Sequence, residues 1–146
     1  ERSDGVVEGA VVQNWDGYPG STVFADQKGI SVILSPPGAY IDQKYNAGSP
    51  IGLQWRGFVN LKRSYDWYPR QIAPESKLLG IESTLWTETV VTEENMDYLL
   101  YPRLMANAEI GWTAEDTRNF DDFMSRLPGQ LARLDVLGVK YSKNYK

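Results

Sequence analysis

The chain has 146 residues, 42% of them apolar and 23% charged, a composition that builds one folded domain with a real core and excludes a disordered segment. Its net charge of −4 excludes a general binder of nucleic acid backbones, which needs a basic face, and no apolar run is long enough to span a membrane. With no Cys and no His, disulfides, thiol nucleophiles, His triads and Cys- or His-based metal sites are excluded, so any chemistry falls to carboxylates, Tyr, Lys and Ser.

The chain opens Glu1-Arg2-Ser3-Asp4-Gly5, without Met and without a signal-peptide pattern, as at a boundary within a longer sequence or after processing. Residues 9–15 read as a strand ended by Asp16-Gly17-Tyr18-Pro19-Gly20. Ser21 to Lys28 suits one or two helical turns closed by Gly29. Residues 30–35, rich in β-branched side chains, form a second strand stopped by Pro36-Pro37-Gly38. Both strands are mostly apolar on both faces, which suits a parallel sheet covered by helices.

Residues 36–74 carry scattered aromatics, Gly and Pro with little periodicity, and only Val59 to Trp67 suggests a helix. Long segments of this kind inside a compact domain are uncommon and usually functional. Residues 78–86 read as a third strand. Thr92 is placed to cap the next helix, with Glu93 and Glu94 in its first turn. Met96, Leu99, Leu100, Leu104 and Ala108 give an apolar stripe at helical spacing, with a break expected at Pro102. Thr113-Ala114-Glu115-Asp116 resembles a capping box. Phe120, Phe123 and Leu127 follow, an interruption is expected at Pro128-Gly129, and Leu131, Leu134 and Leu137 continue to Gly138. The Lys-bearing end, 140–146, reads as a solvated tail. Strand, helix, strand, long loop, strand and helices make the fold class α/β. A complete eight-stranded β/α barrel needs about 250 residues, so the chain is either part of one or a small autonomous sheet.

Side chains alternate along a strand, so Gly80, Glu82, Thr84, Trp86 and Glu88 share one face, with Trp86 and Glu88 at the carboxyl end. That end is where α/β enzymes build their sites. A Trp and a Glu there can stack a sugar face and accept hydroxyl hydrogen bonds, or be an edge Trp and a solvated Glu. Tyr40 and Asp42 follow the second strand with the same parity. A phenol can donate to a developing charge and a carboxylate can hold a hydroxyl, although taken alone the pair reads first as ordinary loop structure. Trp15 ends the first strand. The high aromatic content suits flat amphipathic ligands such as sugars, while each Trp taken singly suits packing. Glu82 reads as a hydrogen-bonded interior carboxylate, Trp67 and Trp112 as core, and Tyr101-Pro102-Arg103 and Glu109 as packing devices.

Residues 33–36 (Ile-Leu-Ser-Pro) running into 39–45 (Ala-Tyr-Ile-Asp-Gln-Lys-Tyr), residues 52–57 (Gly-Leu-Gln-Trp-Arg-Gly), residues 65–69 (Tyr-Asp-Trp-Tyr-Pro) and residues 80–88 (Gly-Ile-Glu-Ser-Thr-Leu-Trp-Thr-Glu) stand in order. They precede Tyr101-Pro102-Arg103 and residues 108–113. Together these blocks resemble the family 20 glycoside hydrolases, the β-N-acetylhexosaminidases. The resemblance covers nearly the whole chain and implies the C-terminal portion of a (β/α)8 TIM barrel. That portion is about three β/α units, the sixth to eighth strands, and is incomplete on its own. All 146 residues would then belong to one catalytic barrel domain.

The resemblance implies that Tyr40 holds the substrate's 2-acetamido carbonyl as that group attacks the anomeric carbon. Trp15 would wall the acetamido pocket, Trp86 would stack beneath the terminal sugar, and Glu88 would bind ring hydroxyls. Asp42 and Trp55 would lie near the O4/O6 side. The implied reaction is retaining and substrate-assisted, an exception to the two-carboxylate scheme. The family's general acid lies in an Asp-Glu dipeptide on an earlier strand, and this chain contains no such dipeptide. An upstream arginine and a further pocket tryptophan are also not matched. The chain would thus supply a sugar-binding wall for an N-acetylhexosamine-terminated oligosaccharide or glycoconjugate, its partner being the missing N-terminal part of the barrel. No metal or organic cofactor is implied, and the setting would be extracellular, periplasmic or lysosomal. Two alternatives stand beside this: a non-catalytic carbohydrate-binding module, and a part-barrel that self-associates through unpaired strand edges.

Overall fold

A computed structural model describes Val7 and residues 9–74 and 77–145; the opening residues 1–5 and Lys146 lie outside the described residues. Strands β1 (Val11–Asn14), β2 (Ser31–Leu34) and β3 (Lys77–Ile81) form one sheet in that order, all parallel. Helix α1 (Pro19–Gln27) connects β1 to β2. A 3-10 turn at Pro37–Ala39 and short helices α2 (Leu61–Tyr65) and α3 (Pro69–Ile72) lie between β2 and β3. Helices α4 (Glu93–Leu100), α5 (Arg103–Trp112) and α6 (Phe120–Leu137) follow. The chain is a small α/β unit, as its element order implies.

The strands are shorter than their sequence patterns suggest. Regular pairing of β3 ends at Ile81, and beyond it only Thr84 makes an isolated parallel bridge, to Tyr40. Within β3, Val32 pairs with Leu78 and Ile33 with Gly80. Leu79 is therefore the extra residue of a bulge, which re-aims the residues after it. Leu78 and Ile81 both pack on the core while Leu79 is 62% exposed.

One sheet face is covered. Val32 and Leu34 sit at its centre with Ala25, Trp67, Ala73 and Ile110 against them. Gln13 and Glu82 lie on the opposite face, where Gln13 Nε2 donates to Ser35 Oγ at 2.9 Å and to Glu82 at 2.6 Å. Glu82 is hydrogen-bonded as expected but exposed, not interior. A second core joins Leu61 and Tyr65 of α2, Ala106 of α5, and Phe123, Leu127, Leu131 and Leu134 of α6.

Several local expectations change. The Pro128-Gly129 interruption does not occur, since α6 runs unbroken through Pro128. An interior proline costs about 3 kcal/mol, but each of the four large apolar side chains on the buried stripe contributes about 1.5–3 kcal/mol. Pro128 itself is exposed, so the lost hydrogen bond lies away from that stripe. Asn119, not the Thr113 box, caps α6, accepting from Asp122 N–H at 3.0 Å. Thr113 instead ends α5. Thr92 does cap α4, and the break at Pro102 separates α4 from α5. Trp67 is core, its indole donating to Asn107 Oδ1 at 3.1 Å. Trp112 is 91% exposed: two residues past Ile110, it points about 200° around the helix from that core contact. The end of the chain is also not a free tail, because Tyr141 and Ser142 are buried and Ser142 N–H donates to Tyr101 O at 3.0 Å.

Candidate functional site

Because the strands are parallel and adjacent, their carboxyl ends fall on one edge of the sheet. Trp15 follows β1 directly. After β2, the 3-10 turn carries the chain into Tyr40 and Asp42. Ile41 N–H donates to Thr84 O and Thr84 N–H to Ala39 O, both at 3.1 Å, which docks the segment after β2 on the segment after β3. The latter then delivers Trp86 and Glu88.

Trp55 arrives by a different route. Leu53 N–H donates to Asp42 O at 2.9 Å and Lys44 N–H to Leu53 O at 2.7 Å. This pairing needs a glycine before it. Gly52 has φ +109°, and a Cβ there would lie 2.9 Å from Lys44 N and 3.1 Å from Asp42 O. No other residue fits both the conformation and the approach.

Trp15, Trp55, Trp86 and Glu88 line one open cavity of about 900 Å³, together with Gln13, Glu82 and residues 83–85. The three indoles are each more than a third exposed, an unusual outlay of apolar surface unless it meets a ligand. Tyr40 and Asp42 are fully buried and stand behind this lining. The Tyr40 ring is 5.6 Å from that of Trp55 and 5.2 Å from that of Trp86, and the two indoles are 6.0 Å apart. The Tyr40 hydroxyl donates to the Trp15 carbonyl, so its single proton is already engaged. Burial pushes its pKa up to about 12, with Asp16 and Asp42 adding to the rise and Arg56 opposing it.

Asp42 accepts from Gln43 Nε2 through Oδ1 at 3.1 Å, while its Oδ2 is buried with no hydrogen-bond partner in the structure. Burial raises its pKa above the ordinary carboxylate value; Glu88 adds to this, and Gln43 and Arg103 oppose it. An unpartnered buried carboxylate oxygen is costly and stays only where something else meets it.

The segment is held from beneath by Arg103, which is completely buried. Its guanidinium donates to Ile41 O at 2.6 Å, Gln43 O at 2.5 Å, Val59 O at 2.9 Å and Leu99 O at 2.8 Å. It stacks 3.8 Å over the Tyr45 ring. The packing role expected of Arg103 is thus a specific one: it fixes the two carbonyls flanking Asp42. Sequence reasoning did not find Gln13 or Gln43. Gln13 shares strand parity with Trp15, a usable signal; Gln43 is internal to the block that contains Tyr40 and carries no signal of its own. Among the described residues, no three His, Cys, Asp or Glu converge as a metal site.

The family model described as the catalytic domain of glycosyl hydrolase family 20 matches residues 2–115. This chain belongs to that family. A β-N-acetylhexosaminidase of Cellulomonas fimi is 38% identical over 139 residues, covering 91% of this chain and 28% of that protein. A β-hexosaminidase of Porphyromonas gingivalis is 32% identical over 143 residues, covering 94% and 18%. Among solved structures, the family 20 β-N-acetylhexosaminidase of Streptomyces coelicolor matches with a TM-score of 0.85 at 37% identity, over 94% of this chain and 30% of that one. The family 20 exo-β-N-acetylglucosaminidase of Vibrio harveyi, solved with N-acetylglucosamine, matches with a TM-score of 0.88 at 30% identity, over 99% and 24%. The family 20 chain described here spans under a third of the length of these relatives.

Proposed function

We propose that this chain is the C-terminal part, about three β/α units, of a (β/α)8 barrel domain. The whole domain removes terminal β-linked N-acetylhexosamine by retaining, substrate-assisted catalysis. The observation that carries this reading is the convergence of Trp15, Trp55, Trp86 and Glu88 on one cavity at the carboxyl edge of three adjacent parallel strands. Indole faces suit the apolar faces of a pyranose, and a carboxylate at their rim suits its hydroxyls. The helices on one sheet face and the polar pair Gln13–Glu82 on the other fit the outside and inside of such a barrel.

In this reading the substrate's acetamido oxygen attacks C1 as the C1–O glycosidic bond breaks. Tyr40 turns its hydroxyl from the Trp15 carbonyl to that acetamido oxygen and holds it in line for attack on C1. Trp86 stacks beneath the ring, Trp15 walls the acetamido group, Glu88 accepts from ring hydroxyls, and Asp42 and Trp55 face the O4/O6 side. The leaving oxygen takes its proton from a general acid outside this chain, which contains no Asp-Glu dipeptide. The 146 residues alone are therefore inactive.

The test is steady-state hydrolysis of an aryl N-acetyl-β-glucosaminide by the longer protein that contains this chain, beside its Glu88→Gln variant. The expected result is turnover by the parent, with KM raised and kcat lowered in the variant. Sugar binding by the parent without turnover would favour a carbohydrate-binding module instead.

A further inference from the structure

We infer that Gln43 is a positioning residue, whose side-chain amide ties the Asp42 carboxylate to the Trp55–Arg56 turn and so presents Asp42 Oδ2 to a sugar hydroxyl. The inference rests on the proposed function, since it concerns how that site is held together.

Gln43 is completely buried. Its Nε2 donates to Asp42 Oδ1 at 3.1 Å and its Oε1 accepts from Arg56 N–H at 3.2 Å. Both ends of one amide are thus used, each on a different element of the site. Its backbone takes part as well, through the carbonyl that accepts from Arg103 and the bridge to Leu53. The backbone is therefore fixed by other groups, and the side chain is left to set the relation between Asp42 and Trp55.

An amide is the side chain this task requires. A lysine or arginine would donate to Asp42 but bring a charge and no acceptor, and a carboxylate would accept from Arg56 N–H but repel Asp42. The amide satisfies Oδ1 without neutralising the carboxylate. Oδ2 is then the one oxygen of Asp42 with no partner; it is buried behind the cavity lining, its direction is set by the Oδ1 bond, and a sugar hydroxyl reaches it as the half-exposed Trp55 side chain gives way on binding. The Arg56 guanidinium lies 5.1 Å over the Trp55 ring, and the Gln43 bond is made to the Arg56 backbone, one residue after Trp55.

The experiment uses the longer protein with Gln43→Met, which keeps the length and removes both polar contacts, and Gln43→Asn, which keeps the amide one methylene short. Each is assayed with the aryl N-acetyl-β-glucosaminide and its 4-deoxy and 6-deoxy analogues. In the unaltered protein, loss of the hydroxyl that meets Asp42 should lower kcat/KM about tenfold or more, the scale of a hydrogen bond to a charged group. In the variants KM should rise with the full substrate, and the deoxy penalty should shrink towards unity because the bond is already lost. A purely structural glutamine would lower activity on all three substrates alike, leaving the penalty intact. That outcome in whichever variant folds, or unchanged kinetics in both, overturns the inference and leaves the proposed function standing. An unaltered protein that neither hydrolyses the glycoside nor changes its Trp fluorescence with N-acetylglucosamine overturns the proposed function, and the inference falls with it.

Discussion

Tyr40 and Asp42 sit two residues apart, are equally buried, and have their pKa values raised by that burial. The phenol has its proton committed to the Trp15 carbonyl; turned to the acetamido oxygen, it would hold that nucleophile in line with C1. Alignment of the reacting atoms contributes to kcat more than to binding. Tyr40→Phe in the longer protein should therefore lower kcat while KM moves less, and steady-state kinetics with an unchanged kcat would contradict the assignment. Asp42 is read through stability. Its folded pKa lies above the ordinary value of 3.8, chiefly through burial. Its contribution is then fully present below that value and is lost as pH rises through the folded pKa. Melting curves of the protein and of Asp42→Asn across this range should show the unaltered protein losing stability relative to the variant as pH rises. A difference independent of pH would contradict it. At this scale Trp15 was legible as the residue at the end of its strand, whereas Trp86 and Glu88 lie beyond Ile81, where β3 ends, and consecutive residues 82–86 all line the cavity, so strand parity does not account for them. Gln43 was not legible, since nothing in its block marks its amide as bridging Asp42 and Arg56, and neither was the carbonyl clamp of Arg103, which depends on contacts 44 to 62 positions away.

At the scale of elements, sequence patterns read well where one local signal dominates. Thr92 before an acidic turn, Pro102 between two helices and Gly138 with φ +77° each act within their own turn. They read poorly where a distant contact outweighs the local signal. Pro128-Gly129 is a strong break signal, yet α6 is continuous because Phe123, Leu127, Leu131 and Leu134 bury one stripe against α2 and α5. The neighbours Leu127 and Pro128 should consequently respond in opposite directions. Leu127→Ala should destabilise by about 2–5 kcal/mol through lost burial and a cavity. Pro128→Ala should stabilise by up to about 3 kcal/mol through a restored helical bond and better propensity. Denaturant unfolding of both variants checks this, and a destabilised Pro128→Ala would mean that the proline holds a bend the core needs. The bulge at Leu79 was hidden for a related reason, because a two-residue alternation carries no mark of where one extra residue is inserted.

At the scale of the whole molecule, helices and their connections cover one face of the sheet, while the other face and the two outer strand edges meet no further strand among the described residues. Val11 is half exposed on the outer strand β1, and Leu79 and Trp112 stand out near β3. A groove between β3 and α5 runs beside them. Surfaces of this kind pair with further strands or with other copies. The parallel α/β order was legible in the alternation of elements. In the proposed reading the chain is one wall of a shared site and lacks its proton donor. The most direct measurement is hydrolysis of an aryl N-acetyl-β-glucosaminide by this chain and by the longer protein, side by side at equal concentration. Turnover by the longer protein alone is the predicted result; turnover by the 146-residue chain would contradict it, because a proton donor would then have to lie among the residues described here.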